Sequence, residues 1–243
     1  MRPIVALLAA SAFAQPAFAD DTRFEAIAIY SQTEDGTDFT MGSFRMKLAD
    51  GPAETTSGNE RNAPTGLRLR FDALRSRYDT GYDATPGQGV EDGYRLLLSY
   101  GIPVNDAFTV TVTGGVVYRS LEVRPVTATS PADSDDTGAF LSMEAEYAAA
   151  AGTFQGIAEY ESIGANYVAA TYLMNVGDNL RIGPTANYAF NDDFERRALG
   201  ASAVFNLTDT FEIKATVAKA RQDVTGGSSS EFSYGEVQLL VNF

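Results

Sequence analysis

Between Phe24 and Phe243, apolar and polar residues take turns along one stretch after another. No stretch is apolar for long enough to cross a membrane as a helix. Neighbouring side chains on an extended chain point to opposite faces, so a period of two describes strands with one apolar and one polar face. The segment 108–121 is the clearest. Phe108, Val110, Val112, Val116 and Tyr118 share one face, and Thr109, Thr111, Thr113 and Arg119 share the other. The same reading along the chain predicts about twelve strands of the length a tilted membrane strand needs. They cover 24–31, 39–48, 65–75, 93–102, 108–121, 138–148, 154–163, 167–176, 180–190, 197–205, 211–219 and 232–243.

Such strands can pack as a two-sheet sandwich, the rival fold, or close into a barrel that turns its apolar faces to lipid. The expected fold is all-β: a closed antiparallel up-and-down transmembrane β-barrel. Nearly every apolar face ends in Tyr or Phe, like the aromatic girdles at two membrane interfaces. Connection lengths also alternate. Val104-Asn105-Asp106, Ala151-Gly152-Thr153, Gly177-Asp178-Asn179 and Asn206 to Asp209 are short and fall in the periplasmic slots. The stretches Tyr78 to Asp92, Val123 to Thr137 and Arg221 to Glu231 read as longer outside loops, rich in Gly, Pro, Ser and Asp. The segment Asp50 to Pro64 is long yet occupies a periplasmic slot, which leaves ten strands as an alternative. Pro184 cannot donate to a ladder, so a bulge beside Gly183 is expected.

Residues 1–19 read as a secretory signal peptide, with Arg2, an apolar run from Ile4 to Phe13 and an Ala17-Phe18-Ala19 cleavage site. The barrel then occupies 20–243. The chain has no Cys and no His, which excludes disulfides, thiolate metal sites and the usual general base. No cofactor or metal site is expected. A net charge of -14 argues against nucleic acid as a partner.

Alternation turns Arg68, Arg70, Arg95 and Arg119 inward from one group of strands, and Glu144, Glu146, Glu159 and Glu161 inward from another. Walls of opposite sign either pair across the lumen or leave a polar channel. Glu144 with Glu146, and Glu159 with Glu161, are also the available carboxylate pairs for glycosidase chemistry, although the plainer reading is lumen charge and no enzyme. Gly114-Gly115 lacks the strand-to-helix setting of a phosphate loop and reads as a packing site. Asp133, Asp135 and Asp136 lack the spacing of a calcium loop and read as an acidic, solvated segment.

Two resemblances add to this reading. In the last stretch Val237, Leu239, Val241 and Phe243 oppose Glu236, Gln238 and Asn242, with Leu240 an apolar intruder. The stretch resembles the closing strand of bacterial outer-membrane barrels, which implies that Phe243 is an assembly signal, with membrane lipid and the barrel assembly machinery as partners. The segments DGYRLLLSYG (92–101), GGVVYRSLEVRP (114–125), GAFLSMEAEY (138–147), IGPTANY (182–188) and RRALGASAVF (196–205) resemble the BcsS family of cellulose biosynthesis proteins. That resemblance implies a Gram-negative outer-membrane barrel that assists cellulose or exopolysaccharide production, export or anchoring, and it supplies no catalytic residues. Cellulose or another polysaccharide is then a candidate partner. A general porin-like or adhesion barrel is the alternative.

Overall fold

The computed structural model describes residues 24–34, 36–50, 65–82, 85–126, 133–225, 227 and 229–243. The expected leader and the segment 51–64 lie outside them. Twelve strands follow one another: β1 (Phe24–Thr33), β2 (Asp38–Ala49), β3 (Gly66–Tyr82), β4 (Thr85–Asn105), β5 (Phe108–Arg124), β6 (Ser134–Ala149), β7 (Gly152–Glu161), β8 (Asn166–Asn175), β9 (Leu180–Phe190), β10 (Phe194–Thr208), β11 (Phe211–Val224) and β12 (Ser229–Asn242). Each pairs with its chain neighbours and β12 pairs with β1, so the sheet closes into an up-and-down barrel. The strand count settles on twelve rather than ten, with β2 ending at Ala49 and β3 starting at Gly66.

All pairing is antiparallel. Carried from Ala26 through Phe44, Phe71, Leu96 and Val116 and on round the wall, the register returns to β1 about 14 residues farther along, a stagger that tilts the strands by roughly 40°. One rim, the terminal rim, holds Phe24 and Phe243. Their backbones exchange N–H···O bonds of 2.9 and 3.0 Å across the β1–β12 seam, and their rings stack at 6.2 Å. The three register shifts, at Lys47/Ala49, Pro103/Asn105 and Asn206/Thr208, all lie near this rim.

The outward face is apolar. Leu96 is 52% exposed, Leu141 56%, Val217 66% and Leu199 72%. A belt this extensive, left in water, would forfeit the favourable transfer of apolar surface, so it marks the lipid-facing surface of the barrel. Tyr30, Tyr94, Tyr118, Tyr160 and Tyr188 edge the belt toward the far rim. Phe108, Tyr147, Phe154, Phe205 and Phe211 edge it toward the terminal rim.

Two expectations are corrected. The stretch Tyr78 to Asp92 is not a long loop: β3 and β4 stay paired out to Tyr82 and Thr85. Arg221 to Glu231 likewise narrows to a short connection between Val224 and Ser229. A hairpin projecting into water keeps its backbone satisfied by pairing, so Gly- and Pro-containing sequence there does not force a loop. Connections 34–37, 162–165 and 191–193 on the far rim are no longer than 176–179 on the terminal rim, so the length rhythm is weaker than expected. The second correction concerns Pro184. β8 and β9 hold the same register from Thr171↔Thr185 to Met174↔Ile182, and no bulge intervenes; the ladder pairs between them are simply absent. A Cβ on Gly183 would meet the Tyr172 carbonyl oxygen at 1.7 Å, so glycine permits the close approach beside the proline.

Candidate functional site: the lumen

The polar face of every strand turns inward, and the longest run of linked charges lies on one side. Arg70 donates to Asp72 at 2.8 Å and lies 3.7 Å from Glu144. Arg95 lies 3.9 Å from Asp72 and donates to Glu161 at 2.7 Å. The second oxygen of Glu161 receives Arg119, which also pairs with Glu91. Asp72 is fully buried, and the Glu161 side chain is 1% exposed. Phe140 lies beneath the Arg95 guanidinium, 4.5 Å from ring centroid to charge. The result is a chain of ion pairs running from β3 to β7 that fills this side of the lumen. Glu144, at its edge, keeps 33% of its side-chain exposure.

Arg70, Arg95, Arg119, Glu144 and Glu161 thus meet in one network. Glu146 instead accepts from Gln155 at 3.0 Å. Glu159 stands between Ser142 and Tyr167 in the register. Arg68 lies opposite Lys47 and Ser99, toward the terminal rim. The two carboxylate pairs are therefore held apart in role, with Glu161 locked between two guanidiniums.

Sequence reasoning left six members of the inner ion-pair lining unassigned. Asp72 was on the expected polar face, two residues from Arg70, and that spacing was the available signal. Glu91 fell in a stretch read as loop. The pairs Glu25–Arg45 at 2.9 Å and Arg181–Glu212 at 3.0 Å close further parts of the wall.

The middle of the opposite wall is built of small side chains. Ala198, Ala218 and Ala220 are buried with Phe232, and Tyr234 packs against them. Short hydroxyl pairs tie neighbouring strands: Thr171–Thr185 at 2.8 Å and Ser202–Thr216 at 2.9 Å. Asn187 reaches from β9 to the Tyr234 hydroxyl on β12 at 2.6 Å, over the alanines of β10 and β11. The Asn187 amide oxygen is buried without a partner among the described residues. In the half of the lumen nearer the far rim, Phe39, Tyr78, Tyr167 and Tyr234 also turn inward and are only half-buried.

The remaining motifs resolve as packing and surface chemistry. A Cβ at Gly115 would meet the Leu96 carbonyl oxygen at 2.2 Å, so this glycine lets β4 and β5 approach. Asp133 pairs with Arg124 at 2.9 Å and takes the Val123 N–H at 3.3 Å; the guanidinium holds its carboxyl below the usual range. Asp135 accepts from the Tyr118 hydroxyl at 3.0 Å. Among the described residues no acidic group is arranged to hold a metal ion.

The sequence matches no protein-family model and no curated protein. Solved structures with a similar chain path include the KdgM porin, at 8% identity and a TM-score of 0.49, over 90% of this chain and 99% of that one. Another is the translocator domain of the autotransporter NalP from Neisseria meningitidis, at 16% identity and a TM-score of 0.48, over 98% and 93%. A third is the N-terminal β-barrel domain of Pseudomonas aeruginosa OprF, at 12% identity and a TM-score of 0.32, over 92% and 98%. All are barrels at distant likeness; the fold assignment rests on the strand pairing itself.

Proposed function

We propose that this chain is an outer-membrane barrel of a Gram-negative bacterium that assists deposition of a neutral extracellular polysaccharide, cellulose by its sequence resemblance, without bond-making chemistry. The terminal rim then faces the periplasm and the far rim the outside. The observation that carries the polysaccharide reading is the lining of the outward half of the lumen. Phe39, Tyr78, Tyr167 and Tyr234 offer aromatic rings, and Asn187, bonded to the Tyr234 hydroxyl, offers an unpartnered amide oxygen. A sugar ring has an apolar face that packs on aromatic carbon and a rim of hydroxyls that need hydrogen bonds, so this mixture suits it. In the network across the lumen Arg70, Arg95 and Arg119 are each paired with a carboxylate. The absence of His, with Glu161 held by two arginines, supports a role without catalysis.

The test is deletion in the native bacterium, with cellulose staining and pellicle weight as readouts, followed by complementation with Tyr167→Ala/Tyr234→Ala. Loss of cellulose output or attachment, not restored by the double variant, is expected. Unchanged output on deletion would put the general porin or adhesion reading first. The partly exposed Glu144 carboxylate is the observation that favours that reading, since it leaves water-sized space beside the ion-pair network.

A further inference from the structure

The outward surface of β10, β11, β12 and β1 differs from the rest of the belt. A groove of about 510 Å³ lies there, lined on the lipid side by Tyr30, Ala215, Val217, Gly235 and Val237. Its floor is Gly235, where an added Cβ would meet nothing within 4 Å. Val217 stands directly opposite Gly235. One step nearer the far rim on the same face, Lys219 stands opposite Ser233 and Leu199.

The charges above the groove are tiered. Leaving the belt along β10 the outward residues are Leu199, Arg197 and Glu195; along β11 they are Val217, Lys219, Arg221 and Asp223. On both strands the cations lie next to the apolar belt and the acids beyond them. Arg197 and Arg221 are directly opposed in the ladder, an arrangement of like charges that is unfavourable unless an anion lies between. Glu195 and Asp223 take them from above at 3.0 and 3.3 Å, through exposed and therefore weak ion pairs. Lys219 makes no ion pair among the described residues. Glu231 on β12 stands opposite Arg221 in the same tier, so Lys219, opposite Ser233 and Leu199, is the cation nearest the groove with no carboxylate across the ladder from it. Glu34, on the β1 side, is turned to the Ser233 N–H at 2.9 Å.

We infer that this face holds one phosphorylated, multiply acylated lipid, with an acyl chain in the groove over Gly235 and a phosphate on Lys219 between Arg197 and Arg221. The inference rests on the outer-membrane reading above. The apolar groove and the cation tier are contiguous, one residue pair apart, and only an amphiphile with both parts engages both. A free phosphate has nothing to place in the groove, and an uncharged acyl lipid leaves the opposed arginines as they are.

The experiment inserts the mature barrel into phosphatidylcholine vesicles containing hexa-acylated, bis-phosphorylated lipid A, extracts it in mild detergent and weighs it intact by native mass spectrometry. Insertion is read separately from the heat-dependent electrophoretic shift. A chain that fails to insert counts against the membrane reading; one that inserts but keeps no lipid counts against the site alone. Wild type is expected to retain one lipid A. Retention should fall about tenfold in Lys219→Gln/Arg221→Gln, which loses charge-assisted contacts, and by a similar factor in Gly235→Leu, which fills the groove. Arg75→Gln, an outward arginine paired with Asp92 elsewhere on the wall, should retain lipid as wild type does. Equal retention by all variants overturns the inference. So does displacement by inorganic phosphate alone, or a dimer mass with the groove covered by a second copy.

Discussion

Replacing Glu161 by Gln tests whether the ion-pair chain in the lumen is a buried structural element or a set of hydrated charges. The carboxylate is 1% exposed and holds Arg95 through one oxygen and Arg119 through the other. Gln keeps one acceptor but turns an amide N–H₂ toward the second guanidinium, donor against donor. Removing one partner of a buried pair costs about 3–5 kcal/mol, against about 0–1 kcal/mol for an exposed pair. Arg119 retains Glu91 and is 18% exposed, and Arg95 retains Asp72 at 3.9 Å, so the expected cost lies near the lower end, about 3 kcal/mol. Arg95→Met removes the other partner. The double variant should cost clearly less than the sum of the two singles, with a coupling of at least about 1.5 kcal/mol. The chain has no Trp, so urea unfolding in detergent is followed by circular dichroism and the electrophoretic shift rather than indole fluorescence. A single-variant cost below about 1 kcal/mol, or additivity within about 0.5 kcal/mol, would refute a water-excluding network.

Arg placed at the lipid-facing Val112 should cost roughly 2–4 kcal/mol, and Arg at the inward neighbour Thr111 far less; equal damage in urea titrations would contradict the assigned faces. Deleting Phe243 removes both backbone bonds to Phe24 and the ring stack at the seam, so assembly yield in native membranes should drop, and an unchanged yield would count against its role as a signal. Asp133 has its carboxyl held down by Arg124, so its clamp on the Val123 N–H is intact through the ordinary carboxylate range and is lost only as pH falls further, through the depressed value. Amide exchange at Val123, corrected for intrinsic rate, should quicken there, and a pH-independent corrected rate would remove the clamp.

The strands and their faces were legible because a sheet imposes a period of two on any sequence with lipid on one side. Thus 180–190 was read to the residue, and Val110, Val112, Ile213 and Val237 all turn outward in the structure. Connection lengths were less legible. β4 runs for 21 residues because its outer part pairs in water, where Gly87 and Gly89 cost the hairpin little, and composition alone does not separate such a ladder from a loop. The two walls of opposite sign were legible, but the individual ion-pair partners were not. Arg95 on β4 meets Glu161 on β7, three strands away, and that meeting depends on the stagger accumulated round the wall rather than on any spacing in the chain.

The stagger also explains a feature that alternation leaves open, namely which inward side chains are large. Each strand contributes about the same arc to the wall, so long Arg and Glu side chains from β3–β7 fill the lumen only if the facing wall gives way. β10 and β11 do so with Ala198, Gly200, Ser202, Thr216, Ala218 and Ala220, and Tyr234 and Phe232 close over them. Gly200 and Ala218 are already in tight contact: a Cβ at Gly200 would lie 2.5 Å from that of Ala218. Enlarging this wall therefore competes with side chains that have no space to retreat into. Ala218→Phe should destabilise the barrel by about 1–3 kcal/mol through overpacking. Ala215→Phe, three residues back on the same strand but facing lipid, should be close to neutral. Urea midpoints for the two variants decide the point, since propensity and strand position are shared. Equal midpoints would mean that the lumen holds slack volume on this side, and the match between large and small walls would then not be what fills it.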